Sequence, residues 1–148
     1  MTTGVALATP VSVVAVSDGA RELLGPWDLA EPLEYSYRQS IYEVPVYEEF
    51  SRGPGGFAYP EVRSPDIRSI EYFGWRGVEP HRAADGLWAA YPPTSEVPDL
   101  LIRVTPAGQQ RLRTARWTLE LRPAFGETVV HVTATRRPLV LALLEGTR

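Results

Sequence analysis

The sequence predicts an all-β fold, an antiparallel β-sandwich or barrel of about eight strands with little helix. Apolar and polar residues alternate with a period of two along most of the chain, as in strands with one buried face. The alternating segments recur about every ten residues, with turn-forming residues between them. Glycine and proline number 12 and 14 among 148 residues, which suits short strands joined by turns without reaching the composition of a disordered chain. The length fits a single domain over residues 1–148.

The strands follow from this alternation, taken in chain order. The first is predicted over SVVAVSD (12–18), an apolar run that ends at the turn pair Asp18-Gly19. In LEYSYRQSI (33–41) the aromatic and aliphatic side chains share one face, and Glu34 on the opposite face is expected to be solvated. Further strands are predicted over VPVYEEF (44–50), FAYPEV (57–62), IRSIEYFGW (67–75), LWAAY (87–91), DLLIRV (99–104), RLRTARWTLEL (111–121) and TVVHVTATRR (128–137).

Turns and the few candidate helices complete the prediction. Pro-Ala-Gly (106–108) and Phe-Gly-Glu (125–127) are predicted to connect hairpins. Only RELLGPW (21–27) and PLVLALLEGTR (138–148) are candidates for helix, the second for one or two turns.

Several kinds of chemistry are excluded by composition. The chain has no cysteine, which excludes disulfides, thiolate nucleophiles and sulfur-ligated metals. It has no lysine, which excludes Schiff-base and P-loop lysines. The opening MTTGVALATP has neither the basic region of a signal peptide nor an apolar run long enough to span a membrane. A soluble protein is therefore expected, cytoplasmic as the chain is written.

The charges favour a solvated strand surface over a nucleic-acid interface. Residues 1–100 hold seven arginines and 15 acids, whereas residues 101–148 hold eight arginines and three acids. In the basic half the arginines alternate with apolar residues, as in Arg111-Leu112-Arg113. That spacing is typical of the solvent face of a strand, and the net charge is −3. No nucleic-acid partner is predicted.

No catalytic or cofactor motif is present. The two histidines, His81 and His131, are fifty residues apart, so a metal site is not predicted. There is no GxSxG motif for a nucleophilic serine. Paired carboxylates for glycoside hydrolysis could come from Glu43, Glu48, Glu49 and Glu71, although acids on strand faces are more often solvated. We predict no cofactor, and a protein that is not an enzyme.

The most distinctive stretch is YSYRQSIYEVPVYEEF (35–50). Its Tyr37-Arg38-Gln39-Ser40-Ile41 and Pro45-Val46-Tyr47-Glu48-Glu49-Phe50 resemble a bacterial family of domains of unknown function, family eighteen-fifty. The family shows Tyr-x-His-Ser-Val followed by Pro-Val-x-Glu and an aromatic residue. The similarity extends to SVVAVSDGARELL and to the closing strands, although Gln39 stands where the family has histidine and FGWRG (73–77) where a Gly-Ala-Gly-like turn is expected.

Within this stretch the candidate ligand or structural motif comprises Tyr37, Gln39, Ser40, Pro45 and Glu48. If residues 41–44 form a turn, Tyr37 lies opposite Glu48 and Gln39 lies diagonal to it on the same face. Glutamine can donate a hydrogen bond to that carboxylate but cannot act as a general base. A structural or binding role is therefore favoured over catalysis.

Family members are often encoded beside, or exported near, TRAP transporters of the TAXI type. The resemblance therefore implies an accessory or small-ligand-binding module linked to a transport system, with a small molecule or a transporter component as partner and an extracytoplasmic location. Two alternatives remain open: a small carboxylate-dependent hydrolase, and a protein-interaction domain that works by sheet-edge pairing.

Overall fold

The computed structural model describes residues 8–94 and 96–141, which form two antiparallel sheets. Strands account for about 48% of the described residues and helices for about 11%. The predicted all-β fold with little helix is confirmed, and of the two architectures predicted it is the sandwich and not the closed barrel. Each strand, helix and sheet is as follows.

The strands are β1 (Pro10–Ser17), β2 (Glu22–Pro26), β3 (Leu33–Arg38), β4 (Pro45–Gly53), β5 (Gly56–Ser64), β6 (His81–Arg82), β7 (Trp88–Ala90), β8 (Glu96–Val97), β9 (Leu100–Arg103), β10 (Arg111–Arg113), β11 (Thr118–Glu120) and β12 (Val129–Pro138). The helices are α1 (Ile67–Glu71) and α2 (Leu121–Phe125). These twelve strands exceed the predicted eight, because the described chain includes several pairings of only two or three residues.

The smaller sheet has the order β2-β1-β12-β9. Its centre is the pairing of β1 with β12, which runs from Pro10 opposite Pro138 to Ser17 opposite His131. The larger sheet has the order β11-β10-β3-β4-β5-β7-β6, and β8 also pairs with β5. All pairings within both sheets are antiparallel, as the period of two predicts.

Alternate residues of both sheets meet in one apolar core. Val14 of β1 and Val130 of β12 come from the smaller sheet, and Phe50 of β4 and Leu112 of β10 come from the larger. All four are at most 1% exposed. The aliphatic and aromatic residues of the alternating pattern therefore lie on the inner face of each sheet, which is buried against the other sheet.

Part of the larger sheet is covered by a helix and its following loop instead. Ile70 of α1 packs with Val46 of β4, Val62 of β5 and Ala90 of β7, and Phe73 joins this cluster. One part of the inner face of the larger sheet is thus covered by the smaller sheet, and another part is covered by α1 and the loop after it.

Two segments differ from the prediction because short-range hydrogen bonds decide their structure. Residues 67–75, predicted as a strand, contain α1, whose first turn is capped by the Asp66 carboxylate accepting from the Arg68 N–H at 3.0 Å. Residues 111–121, predicted as one strand, form β10 and β11 around a turn in which Thr114 Oγ1 accepts from the Trp117 N–H at 3.4 Å.

The remaining differences concern connections and chain ends. The helix candidate at 21–27 is strand β2, which pairs with β1. Residues 106–108 are not a hairpin, because they join β9 of the smaller sheet to β10 of the larger. Residues 125–127 are not a hairpin either, since α2 stands between β11 and β12. At the C-terminus, helical structure begins at residue 139, and the rest of that candidate helix, 142–148, lies outside the described residues.

Within the described ranges, none of the helices has the length and apolar character needed to cross a bilayer.

One contact between the sheets depends on a glycine. Trp117, just before β11, donates its indole N–H to the carbonyl of Pro26 on β2 at 2.7 Å. A Cβ atom on neighbouring Gly25 would lie 2.5 Å from Trp117 Cε2, far inside van der Waals contact. Position 25 must therefore lack a side chain for the indole to reach β2.

Gly25→Ala should displace Trp117 and destabilise the protein by about 1–3 kcal/mol, as overpacking of a close contact does. Urea unfolding followed by tryptophan fluorescence measures this. Gly55→Ala is the matched control, because its Cβ would meet Glu96 Oε2 at an ordinary 3.7 Å, and it should change stability by less than about 0.5 kcal/mol. Equal stability of the two variants would contradict the proposed role of the glycine.

Candidate functional site

A single carboxylate lies in an apolar row on the inner face of the larger sheet. Leu119, Leu112, Tyr35, Glu48, Val62 and Ala90 are successive cross-strand partners from β11 to β7. Cross-strand partners project to the same face of a sheet. Glu48 is therefore the one charged residue in a row that the fold otherwise buries as hydrocarbon.

Tyrosine hydroxyls stabilise this carboxylate. The Tyr59 hydroxyl donates to Glu48 Oε2 at 2.7 Å, and the Tyr37 hydroxyl interacts with the same carboxylate. Tyr59 is held by Phe50, whose ring centroid lies 4.7 Å from its own in a stacked arrangement. Tyr37 stacks on Tyr35 at 5.1 Å.

The surroundings shift the pKa values of the whole cluster. Burial raises the pKa of Glu48 above its ordinary value, and the hydrogen bonds from Tyr59 and Tyr37 oppose that rise without cancelling it. Burial and the nearby carboxylate raise the pKa values of Tyr35, Tyr37 and Tyr59. The tyrosines therefore stay protonated donors, and Glu48 is the group of this cluster whose charged form burial disfavours.

The motif predicted from the sequence is only partly assembled. Tyr35, not Tyr37, lies opposite Glu48, while Tyr37 lies opposite Val46. The register differs by two residues because the connection is longer than the predicted 41–44 turn. It closes through a hydrogen bond from the Gln39 N–H to the Val44 carbonyl at 2.9 Å.

The predicted hydrogen bond from Gln39 to Glu48 is wrong, since no such bond joins these two described side chains. Gln39 is 8% exposed, and its Oε1 is buried without a partner. Ser40 is exposed, and Pro45 begins β4. Tyr59, which does donate to Glu48, was not singled out from the sequence, although FAYPEV was predicted as a strand.

Glu34 also differs from expectation. It was expected to be solvated, yet it is 8% exposed, and its Oε2 accepts from Arg113 Nη2 at 3.0 Å. Its Oε1 is buried without a partner. The outer face of the larger sheet is therefore more enclosed than an ordinary solvent face.

A cleft of about 670 Å³ opens on this outer face, beside β3, β4 and β10. Its polar lining includes Arg38, Tyr47, Arg111, Glu120 and Arg122. Three prolines, Pro45, Pro106 and Pro123, form rigid apolar parts of the wall. Of the motif residues, Tyr37 and Pro45 line the cleft, whereas Gln39, Ser40 and Glu48 do not.

The arginines of the cleft differ in their partners. Arg38 pairs with Glu43 at 3.5 Å, and Arg122 pairs with Glu127 at 3.1 Å. Within the described part of the chain, the Arg111 guanidinium has no carboxylate and no hydrogen-bond acceptor, and its Nε is buried. Arg111 is thus a partly buried cation that makes no hydrogen bond or ion pair with the described residues.

A second hollow of about 340 Å³ adjoins the first and shares Pro45, Tyr47 and Arg111 with it. The other arginines that line it are paired, Arg63 with Glu49 and Asp85 and Arg113 with Glu34. Arg111 therefore lines both hollows, and among the described residues it is the cation in them that has no ion-pair partner.

The histidines lie on different sheets. His131 of β12 pairs with Asp99 at 2.5 Å, and His81 of β6 stacks on Tyr91 with ring centroids 4.9 Å apart. In residues 8–94 and 96–141, no three histidine or acidic side chains are grouped as metal ligands would be.

Comparison with known proteins adds no relative: no family model, no curated protein and no solved structure matches this chain.

Glu48→Gln should make the protein more stable than the parent at pH 7. Because the folded state raises the pKa of Glu48, it binds the proton more tightly than the unfolded state does. Stability from this group is therefore complete below the ordinary value of 4.5 and is lost as the pH rises through the folded pKa. Urea unfolding between pH 4 and pH 8 should show the advantage of the variant shrinking toward low pH.

The adjacent Glu49→Gln is the control, because Glu49 lies on the outer face and pairs with Arg63. It should lower stability at pH 7, the opposite sign. Suppose that Glu48→Gln is less stable than the parent at pH 7 and that the two proteins show the same dependence of stability on pH. Burial of the Glu48 carboxylate then does not destabilise the folded protein.

Proposed function

We propose that this chain is a non-enzymatic β domain that binds a small molecule in the cleft on the outer face of its larger sheet. The observation that carries the proposal is Arg111, a partly buried arginine that lines a 670 Å³ cleft and has no partner among the described residues. A buried donor without an acceptor costs about 1–3 kcal/mol. That buried donor is Nε; the Nη atoms of Arg111 are not among the buried unpartnered atoms, and they are the donors that a ligand in the cleft can reach.

The size and lining of the cleft support a small ligand. Its volume falls within the range of roughly 300–1,000 Å³ that is usual for small-molecule sites. It also combines apolar wall residues with a few polar groups, as such sites do. These features favour a compact organic molecule over a macromolecular partner.

The carboxylate arrangement favours binding over hydrolysis. Glycoside hydrolysis requires two carboxyl groups that flank one cleft. Of the two acids that line this cleft, Glu43 is paired with Arg38, which leaves Glu120 alone. Glu48 lies on the opposite face of the sheet and cannot complete a pair.

The strand edges weigh against a sheet-edge interaction domain. In the described chain the larger sheet ends in β6 and β11, which are two and three residues long. The smaller sheet ends in β9, of four residues, and in β2, which contains Pro26. Short edges and edge prolines reduce the backbone available for pairing with another chain.

The family resemblance supplies the wider part of the proposal. It suggests that the domain works beside a transport system, with a transporter component as a second partner and an extracytoplasmic location. The residues that support this are those of the motif around Tyr37 and Pro45, which line the cleft.

Obstructing the cleft should abolish binding. Gln109 is exposed and lines the cleft, so Gln109→Trp should fill it without removing a buried contact, and the strain of a bulky residue at its φ of 49° should lower stability equally with and without ligand. Thermal unfolding in the presence of a panel of neutral sugars and alcohols, organic cations and organic anions should show at least one class that stabilises the parent. A ligand at about 100 times its Kd adds about 2.7 kcal/mol of stability.

Ala107→Trp is the matched control, because Ala107 is an exposed neighbour that does not line the cleft. It should respond to ligand as the parent does, whereas Gln109→Trp should not. A panel in which no class stabilises the parent, or in which the two variants respond alike, would reject the cleft as the ligand site.

A further inference from the structure

We propose that the ligand is a small monocarboxylate whose carboxylate binds Arg111 and whose apolar body lies against the proline wall of the cleft. The inference rests on the proposed function, since it assigns a chemical class to the ligand of that same cleft.

The first step is the number of free charges. Arg38 and Arg122 have carboxylate partners at 3.5 and 3.1 Å, so a ligand would compete with Glu43 and Glu127 for these two arginines. Arg111 has none among the described residues, which leaves the cleft with one available cation. One cation in a partly enclosed site favours a ligand with one negative charge.

The second step is the geometry of that cation. Arg111 begins β10, directly opposite Ser36 on β3 and Glu120 on β11. A strand position between two paired neighbours restricts the backbone, and the side chain is partly buried. A guanidinium held in this way presents planar paired donors, which match the two oxygens of a carboxylate.

The third step is the exclusion of more highly charged anions. The exposed Glu120 is the cross-strand partner of Arg111, lines the same cleft and has no ion-pair partner within the described ranges. A second carboxylate or a phosphate dianion would bring additional negative charge toward Glu120. The repulsion should select against such ligands.

The fourth step is the apolar wall. Pro45, Pro106 and Pro123 come from three different parts of the chain and line one cleft. Their rings offer hydrocarbon surface and lack backbone N–H donors. They suit the aliphatic or aromatic body of a carboxylic acid better than a sugar, which needs hydrogen-bond partners around its ring.

The test compares butyrate with butanamide, butylammonium, succinate and inorganic phosphate by calorimetric titration of the intact chain. Butyrate should bind, and succinate and phosphate should bind more weakly. Butanamide has the same shape without the charge and should not bind measurably. Arg111→Gln should weaken butyrate binding by about ten- to a hundredfold, the range expected for loss of a charge-assisted hydrogen bond.

Two variants provide controls. Arg103→Gln removes the same charge from an exposed position outside the cleft and should leave butyrate binding unchanged. Glu120→Gln should strengthen succinate binding relative to butyrate, because it removes the proposed repulsion. Arg111→Lys keeps the charge but not the planar donors and should retain part of the butyrate affinity. Partial binding by this variant would show that position 111 can be changed without loss of the fold.

The outcomes separate this inference from the proposed function. Tighter binding of succinate or phosphate than of butyrate, or unchanged butyrate affinity in Arg111→Gln, overturns the monocarboxylate assignment. Binding of a neutral sugar or an amine that Gln109→Trp abolishes also overturns it, while the proposed function stands. If no probe binds and no member of the wider panel stabilises the parent, both fail.

Discussion

The structure depends on covering a large sheet with a smaller one. The larger sheet has eight strands and the smaller has four, and the smaller sheet is held together by the pairing of β1 with β12. Four strands bury only part of the inner face of eight, so α1 and the loop after it must cover the rest. Because apolar surface left in water is unfavourable by about 25 cal/mol per Å², the second layer is as necessary as the first.

Glu48 lies where these two layers meet. Tyr35 and Tyr59 beside it pack on the core shared by the sheets, whereas Tyr37 packs on the cluster around α1. A carboxylate at the junction gives the tyrosines from both clusters a common hydrogen-bond acceptor. The polar cluster thereby links the two parts of the inner face. Burying the carboxylate there has a desolvation cost, which raises the pKa of Glu48.

The sequence predicted the strands well because a period of two is a property of each segment alone. It failed where a side chain organises its own backbone: Asp66 caps a helix inside an apparent strand, and Thr114 closes a turn inside another. These local hydrogen bonds compete with the pattern of apolar residues. A capping aspartate followed by an apolar residue was the feature that could have indicated α1.

Register was harder to predict, because it depends on the conformation of a connection. The β3–β4 connection spans residues 39–44 and contains Glu43 at a positive φ of 55°, and the length of this connection places Tyr35 opposite Glu48. The partner Tyr59 depends on a register shift between Glu49 and Ser51 on the next pairing. A register shift of two residues leaves each side chain on the same face of the sheet. The prediction that Glu48 and Tyr37 share a face is therefore confirmed, whereas the prediction that they lie opposite each other is wrong.

Glu48 and Arg111, two charged residues of the larger sheet without an ion-pair partner among the described residues, differ in a way that bears on function. Glu48, on the inner face, receives hydroxyl donors from its surroundings and can lose its charge by taking up a proton. Arg111, on the outer face, cannot do so, because a guanidinium stays protonated at any physiological pH. A carboxylate in an unfavourable site can therefore be accommodated by the protein itself, whereas an arginine can be satisfied only by an acceptor. Since the described chain supplies none to Arg111, its accessible donors are left to water or, as proposed, to an anion that enters the open cleft.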